Sequence, residues 1–399
     1  MKKKYIIIGA SAAGIACANR LRQLDGESEI LCISQEKEIP YNKCFLADYC
    51  AGIKKEEEIF ILTSVQADQK NIQLMLDTHV IDINATEKVI TLHDKTVLTY
   101  DALVIATGTS PKLPASFKEM QNIFMFHRLF DVNAIMHFIN KHSAKKALVI
   151  GSGLSGLECA DALLAQNMQV SVVELQDRVL ATHVDAKGSR FIQQYMQHKN
   201  VFFIPNTSIV NIERNNHTSF ATCADGTIIE ADLIVFAIGL QPNIELAHKA
   251  QIAVHEQGII TNEYMQTSNP HIWVAGDIAM VKDQLTGQLV PNRTWPDAML
   301  QGLIAAHSIA GQPKIYPGLA AVISSSFFDI KFASCGPIAD PPSSYTVLTN
   351  EKSDYYHLFL LENSYLKGFL LVGNTGSVGK LRQHLLTKTP VNQEFLLTI

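Results

Sequence analysis

Two short glycine-rich turns carry the residues best placed for chemistry. Gly151, Gly153 and Gly156 follow the apolar run Ala147-Leu148-Val149-Ile150. A Gly-x-Gly-x-x-Gly turn between a strand and a helix lets the backbone approach a pyrophosphate and aims the helix N-terminus at its charge. Glu174 ends the next apolar run, 23 residues after Gly151. A carboxylate there accepts hydrogen bonds from a ribose 2′-OH and repels a 2′-phosphate. Leu175 and Gln176 offer no cation in its place, so NADH is expected in preference to NADPH. An earlier copy reads Gly9, Ser11 and Gly14 after Tyr5-Ile6-Ile7-Ile8, with serine where the middle glycine would stand. Its acidic residue is displaced as well. Ser34 ends the second run, and Glu36, 22 residues past Gly14, is the nearest carboxylate. The sequence leaves open which of the two meets an adenosine ribose.

A second kind of chemistry is a thiol. Cys44 sits in Pro40-Tyr41-Asn42-Lys43-Cys44-Phe45-Leu46. Beside Lys43 it can be read as a thiolate that attacks disulfides, persulfides or peroxides. Cysteine also packs as a small apolar residue, and that reading stays open. Cys44 and Cys50 are six residues apart, about 600° around an α-helix, so the two would face different ways and no dithiol is expected. The seven cysteines include no C-x-x-C pair and no metal-ligand spacing. No structural metal is expected, and the odd, scattered set suits a reducing, cytoplasmic compartment. Neither a Ser/His/Asp set nor a pair of catalytic carboxylates stands out.

The elements that must position these residues recur. Each glycine turn follows a β-branched run and opens a small-residue stretch of helical period. Another strand comes about twenty residues later, Ile30 to Ser34 and Val170 to Glu174. This is the start of a parallel α/β sheet, twice over. Tyr100-Asp101-Ala102-Leu103-Val104-Ile105-Ala106-Thr107-Gly108 closes the first half, and Ala231-Asp232-Leu233-Ile234-Val235-Phe236-Ala237-Ile238-Gly239 closes the second. Between them, Val80 to Leu92 and Val201 to Ile229 alternate like antiparallel ribbon, with turns at Asn215-Asn216 and Asp225-Gly226. Pro296 is predicted to open a helix that Gly311 stops. From about Phe327 paired strands are expected, Tyr356 to Leu361 and Leu366 to Val372, and then a helix over Thr375 to Leu386.

Taken together, these motifs resemble the FAD/NAD(P)-dependent pyridine nucleotide-disulfide oxidoreductase superfamily over nearly the whole chain. The two glycine turns, Ala106-Thr107-Gly108, Gly239 with Pro242-Asn243, and Ala275-Gly276-Asp277 carry the resemblance. It implies two interleaved Rossmann-like α/β domains and a small α+β C-terminal domain that often dimerises. The expected FAD domain is residues 1–112 and 242–325, the NAD domain 113–241 and the C-terminal domain 326–399. FAD would rest on Gly9, Ser11, Gly14, Ser34, Glu36, Lys43, Ala106, Thr107, Gly108 and Asp277. NADH would rest on Gly151, Gly153, Leu154, Gly156, Glu174 and Gly239, with Glu158 near the nicotinamide.

The tail is similar to that of NADH:rubredoxin reductase-like and nitrite-reductase-like flavoproteins, and Cys44 matches the position of the redox cysteine in coenzyme A-disulfide reductase-like members. The leading expectation is an FAD-dependent NADH oxidoreductase passing electrons to a rubredoxin-like protein or another acceptor. A single-cysteine reductase working through Cys44 is the first alternative. A slow nucleotide-bound sensor resembling apoptosis-inducing factor is the second.

The bulk numbers narrow the field. A chain of 399 residues suggests two or three domains. A net charge of -5 gives no basic surface for nucleic acid, and the basic residues cluster only in Met1-Lys2-Lys3-Lys4. The apolar Ile6 to Ala18 that follows imitates a secretory leader but spells the first glycine turn. No uninterrupted apolar run is long enough for a membrane span.

Overall fold

The computed structural model describes residues 2–118, 120, 122–215, 218–318 and 320–399. Met1, and Asn216 of the expected Asn215-Asn216 turn, lie outside them. The chain forms two compact units. One comprises residues 1–44, 56–110 and 240–321, and the other residues 45–55, 111–239 and 322–399.

The first unit is built on a parallel five-stranded sheet in the order Ile272–Val274, Ala102–Ile105, Lys4–Ile8, Glu29–Ile33, Ile72–Met75. Tyr5 to Ile8 pair in step with Ile30 to Ile33 on one side and Ala102 to Ile105 on the other. A strand in the middle of a parallel sheet is covered on both faces, so it reads as an unbroken apolar run rather than an alternating one. Ile6 and Ile7 are fully buried accordingly. The expected ribbon is present as Val80–Asn84, Val89–Leu92 and Val97–Thr99, paired antiparallel.

The second unit repeats the plan, in the order Phe202–Ile204, Gln169–Val173, Lys146–Ile150, Leu233–Phe236, Ile123–Met125, all parallel. Each element of the first sheet has its counterpart. The fifth strand, beside the closing strand, comes late in the first unit and early in the second. One expectation is corrected here. Val201 to Ile229 is not ribbon throughout, because Phe202–Ile204 runs parallel to Gln169–Val173. The helix Ala186–His198 makes the crossover that a parallel pairing demands. Only Ile209–Asn215, Thr218–Cys223 and Ile228–Ala231 form the antiparallel part.

The C-terminal region is α+β. Its antiparallel sheet runs Ile323–Phe327, Ile330–Cys335, Tyr365–Val372, Tyr356–Glu362, Thr346–Glu351, followed by the helix Val378–Thr387. Asn363 and Ser364 both have positive φ, 50° and 67°, as a two-residue hairpin turn requires. Both Rossmann-like sheets and this smaller sheet are therefore as the resemblance implied. No helix among the described residues is long and apolar enough to cross a membrane.

The helix Trp295–Ile309 packs in the first unit with Pro296 as its second residue, and Gly311 follows its end at φ +74°. Two polar side chains lie on its buried face. Asp297 and Gln301 are both 0% exposed and stand one helical turn apart. Gln301 Nε2 donates to Asp297 Oδ2 at 2.7 Å, and Tyr316 Oη donates to Asp297 Oδ1 at 2.7 Å. The Gly276 amide donates to Gln301 Oε1 at 2.7 Å. Burial pushes the Asp297 carboxyl up to about 6, although both hydrogen bonds pull against the shift. Gln301→Leu keeps the volume but strands a buried amide and a buried carboxylate oxygen. A loss of about 2–4 kcal/mol in unfolding free energy is expected, measured by urea denaturation.

Candidate dinucleotide sites

In the first unit the turn Gly9 to Gly14 joins the central strand to the helix Ala12–Leu24. Gly9 has φ +114°, and a Cβ there would strike the carbonyl of Ala106. A Cβ on Gly14 would strike the carbonyl of Gly9. Both positions therefore exclude any larger residue. Ser11 caps the helix without a side-chain hydrogen bond to its amides, which leaves the first-turn N–H groups to an external acceptor.

The Ala106-Thr107-Gly108 turn is held from behind. Asn243 Nδ2 donates to the Thr107 carbonyl at 2.8 Å, and the Asn243 amide donates to the Gly108 carbonyl at 3.1 Å. Ser110 Oγ donates to Asn243 Oδ1 at 2.8 Å. The Pro242-Asn243 motif thus has a physical task, since its asparagine fixes the turn that backs onto Gly9.

Asp277 follows Gly276, whose amide is tied to Gln301. Its carboxylate accepts no hydrogen bond from the described residues. Burial pushes that carboxyl up, while the charges of Arg293 and Lys43 pull it down. A half-buried carboxylate without protein donors is free to take hydroxyl donors from a ligand. The hydroxyls of a flavin ribityl chain are donors of the right kind, so the residues present fit FAD.

Ser34 and Glu36 are brought together, as Ser34 Oγ accepts from the Glu36 amide at 3.1 Å. Glu36 also takes Tyr41 Oη at 2.6 Å and Lys43 Nζ at 3.2 Å. Lys43 is therefore drawn toward a carboxylate. Cys44 is exposed, whereas the other six cysteines are buried. Cys50 belongs to the other compact unit.

In the second unit Gly151 has φ +105°, and a Cβ there would strike the carbonyl of Ala237. A Cβ on Gly156 would strike the carbonyl of Gly151. Gly153 caps the helix Leu154–Ala165, with nothing within 4 Å of where its Cβ would stand. That space lies before uncapped first-turn amides, where a pyrophosphate fits. Glu174 Oε2 accepts from the Ser152 amide at 2.7 Å and Ser152 Oγ at 2.8 Å, and Oε1 accepts from the Gln176 amide at 2.9 Å. A carboxylate has about four acceptor positions, so one remains for a ribose hydroxyl. Leu175 is exposed, and Arg178 is paired with Asp177 at 2.8 Å. Gly239 has φ +104°, and its carbonyl accepts from the Lys112 amide at 2.9 Å. Glu158 lies one turn into the helix and accepts from Ser325 Oγ at 2.6 Å.

Several residues of these sites had no motif to announce them. Asp297, Gln301, Tyr316, Arg293 and Ser325 lie outside every pattern read above. The one available clue was a pair of polar residues at i and i+4 on an otherwise apolar helix face. No cluster of His, Cys, Asp and Glu among the described residues could hold a metal ion.

Comparison with known proteins places this geometry. The chain is 33% identical to an NADH oxidase of Methanocaldococcus jannaschii over 80% of its length and 73% of the relative's. It is 29% identical over 98% of its length to the assimilatory nitrate reductase electron transfer subunit of Bacillus subtilis, and spans half of that protein. Among solved structures, the covalent putidaredoxin reductase–putidaredoxin complex superposes with a TM-score of 0.89 at 28% identity. That match covers 99% of this chain and 95% of the other. The family model for the pyridine nucleotide-disulphide oxidoreductases matches residues 3–302. With two nucleotide turns built alike and a half-buried carboxylate lacking donors, the chain belongs to the pyridine nucleotide-disulphide oxidoreductase family, an NAD(P)H-dependent oxidoreductase whose cofactor is FAD.

Proposed function

We propose that the protein oxidises NADH through FAD and delivers the electrons to a small redox protein. The observation that carries this reading is the state of the Lys43-Cys44 pair. The only ammonium adjacent to the exposed thiol in sequence is committed to Glu36 at 3.2 Å. A neighbouring cation favours a thiolate, and this one is drawn to a carboxylate instead. A relative solved with putidaredoxin supports a protein partner.

FAD, when bound, supplies a ring that accepts a hydride pair and releases electrons singly. The residues of this chain bind, orient and exclude water. The helix N-termini behind Ser11 and Gly153 hold the pyrophosphates, Asp277 takes the ribityl hydroxyls, and Glu174 takes the ribose of NADH. No acid or base is needed at the moment of hydride transfer, because alignment supplies most of the rate. This accounts for the lack of a hydrolytic signature. Residues Gly9, Gly14, Ala106, Thr107 and Gly108 form the FAD cradle in this reading, and Ser34 takes the adenosine ribose because Glu36 is occupied by Tyr41 and Lys43. In this reading residues 1–112 and 242–325 carry FAD, 113–241 carry NADH and 326–399 form the C-terminal domain, with residues 45–55 grouped by their contacts with the NADH part.

A thiol reductase working through Cys44 is the second reading, favoured by that side chain's exposure. Cys44→Ser separates the two. Retention of NADH oxidation with both ferricyanide and a polysulfide is expected, while loss of the polysulfide activity alone establishes the thiol route. NADH is expected to bleach the bound flavin rapidly; slow bleaching with a long-lived charge-transfer band fits a sensor instead. Glu174→Ala is expected to lower the preference for NADH over NADPH about tenfold, read as the ratio of kcat/KM values. An unchanged ratio removes Glu174 from the ribose site.

A further inference from the structure

The C-terminal sheet contributes to the second unit a side chain that packing does not explain. Its edge strand Ile323–Phe327 pairs with Ile330–Cys335. Strand alternation puts Ile323, Ser325 and Phe327 on one face. Ile323 and Phe327 pack into the same apolar cluster as Leu157 and Ala160 of the helix that follows Gly153. Ser325, between them, is a polar residue on an apolar face. Its Oγ donates to Glu158 Oε1 at 2.6 Å. Among the described residues no other side chain hydrogen-bonds this carboxyl.

The surroundings of Glu158 give that bond its meaning. The helix Leu46–Cys50 brings Asp48 and the buried thiol of Cys50, and Cys159 is the next residue on the carboxyl's own helix. Asp161 on the same helix answers to Asp329 and Lys199. The adjacent strands Lys146–Ile150 and Gln169–Val173 are apolar where they are buried. Burial and the negative charge of Asp48 both push the Glu158 carboxyl up, and only the Ser325 bond pulls it down. One hydroxyl therefore opposes the upward shift of this carboxyl and fixes one of its oxygens.

We propose that Ser325 is a positioning residue of the NADH site: it anchors Glu158 by Oε1 and leaves Oε2 to accept from the carboxamide N–H of the nicotinamide. The inference rests on the reading that this unit binds NADH. It makes the small C-terminal sheet part of the nucleotide site. Removing the hydroxyl raises the Glu158 carboxyl further, so a contact that needs the charged form fails at higher pH than before.

Two ligands isolate the effect. A tetrahydronicotinamide analogue of NADH binds without reacting, and ADP-ribose lacks the nicotinamide. Both are titrated calorimetrically into the holoenzyme from acid to neutral pH, for wild type, Ser325→Ala, Ser325→Thr and Glu158→Gln. The expected result for Ser325→Ala is a loss of about 3- to 10-fold in analogue affinity. The acid limb moves to higher pH, ADP-ribose binding is unchanged, and Ser325→Thr restores the wild-type profile. Equal weakening of both ligands would reduce Ser325 to a structural role and overturn the proposal. If Glu158→Gln weakens the analogue and Ser325→Ala does not, the positioning inference alone fails. If Glu158→Gln alters neither ligand, the nicotinamide assignment of Glu158 fails with it.

Discussion

Everything in both nucleotide sites depends on a strand end passing against the carbonyl of its neighbour in the sheet. At Gly9 and at Gly151 the backbone turns with positive φ, and no side chain fits between it and the carbonyls of Ala106 and Ala237. The same contact is made twice, in sheets of matching strand order. It aims two uncapped helix N-termini, and it places the segment after each closing strand beside the turn. A helix N-terminus of this kind suits an anion with little help from charged side chains.

The two copies differ in what surrounds that contact. The second is open at Gly153 and is completed by a carboxylate that already bonds to its own turn through Ser152. The first has Ser11 at that place, with its carboxylate drawn into a group with Tyr41 and Lys43. In the proposed reading the first unit leans instead on Asp277, whose neighbour Gly276 is held indirectly. Gly276 hangs from Gln301, Gln301 from Asp297, and Asp297 from Tyr316. Such a chain of buried polar groups is stable only when every member is satisfied.

Much of this was legible in the sequence because the constraint is local. A glycine required by a close backbone approach leaves a motif at fixed spacing, and a doubly covered strand leaves an apolar run. The repeat from Tyr5 to Gly14 and from Ala147 to Gly156 was enough to find both sheets. Phe202–Ile204 was misread because three residues are too few for a period, and the long helix before them decided their direction. Asp297, Gln301 and Ser325 were invisible for another reason. Beyond the i, i+4 pair itself, their partners stand 19 to 167 residues away, and a hydrogen bond across such a gap imposes no pattern on the intervening chain.

The strand orders carry a consequence for how the molecule is made. The second sheet has all its strands once Phe236 has been synthesised, whereas the first waits for Ile272–Val274. The helix Trp295–Ile309, which brings the group supporting Asp277, comes later still. A ribosome delivers the chain from its N-terminus at about 5–20 residues per second, and domains usually fold in that order. Of the two parallel sheets, the one whose first strand emerges earliest is the last to be completed. The apolar strand Lys4–Ile8 is thus made long before its sheet is complete and must stay unaggregated until Ile272–Val274 emerges.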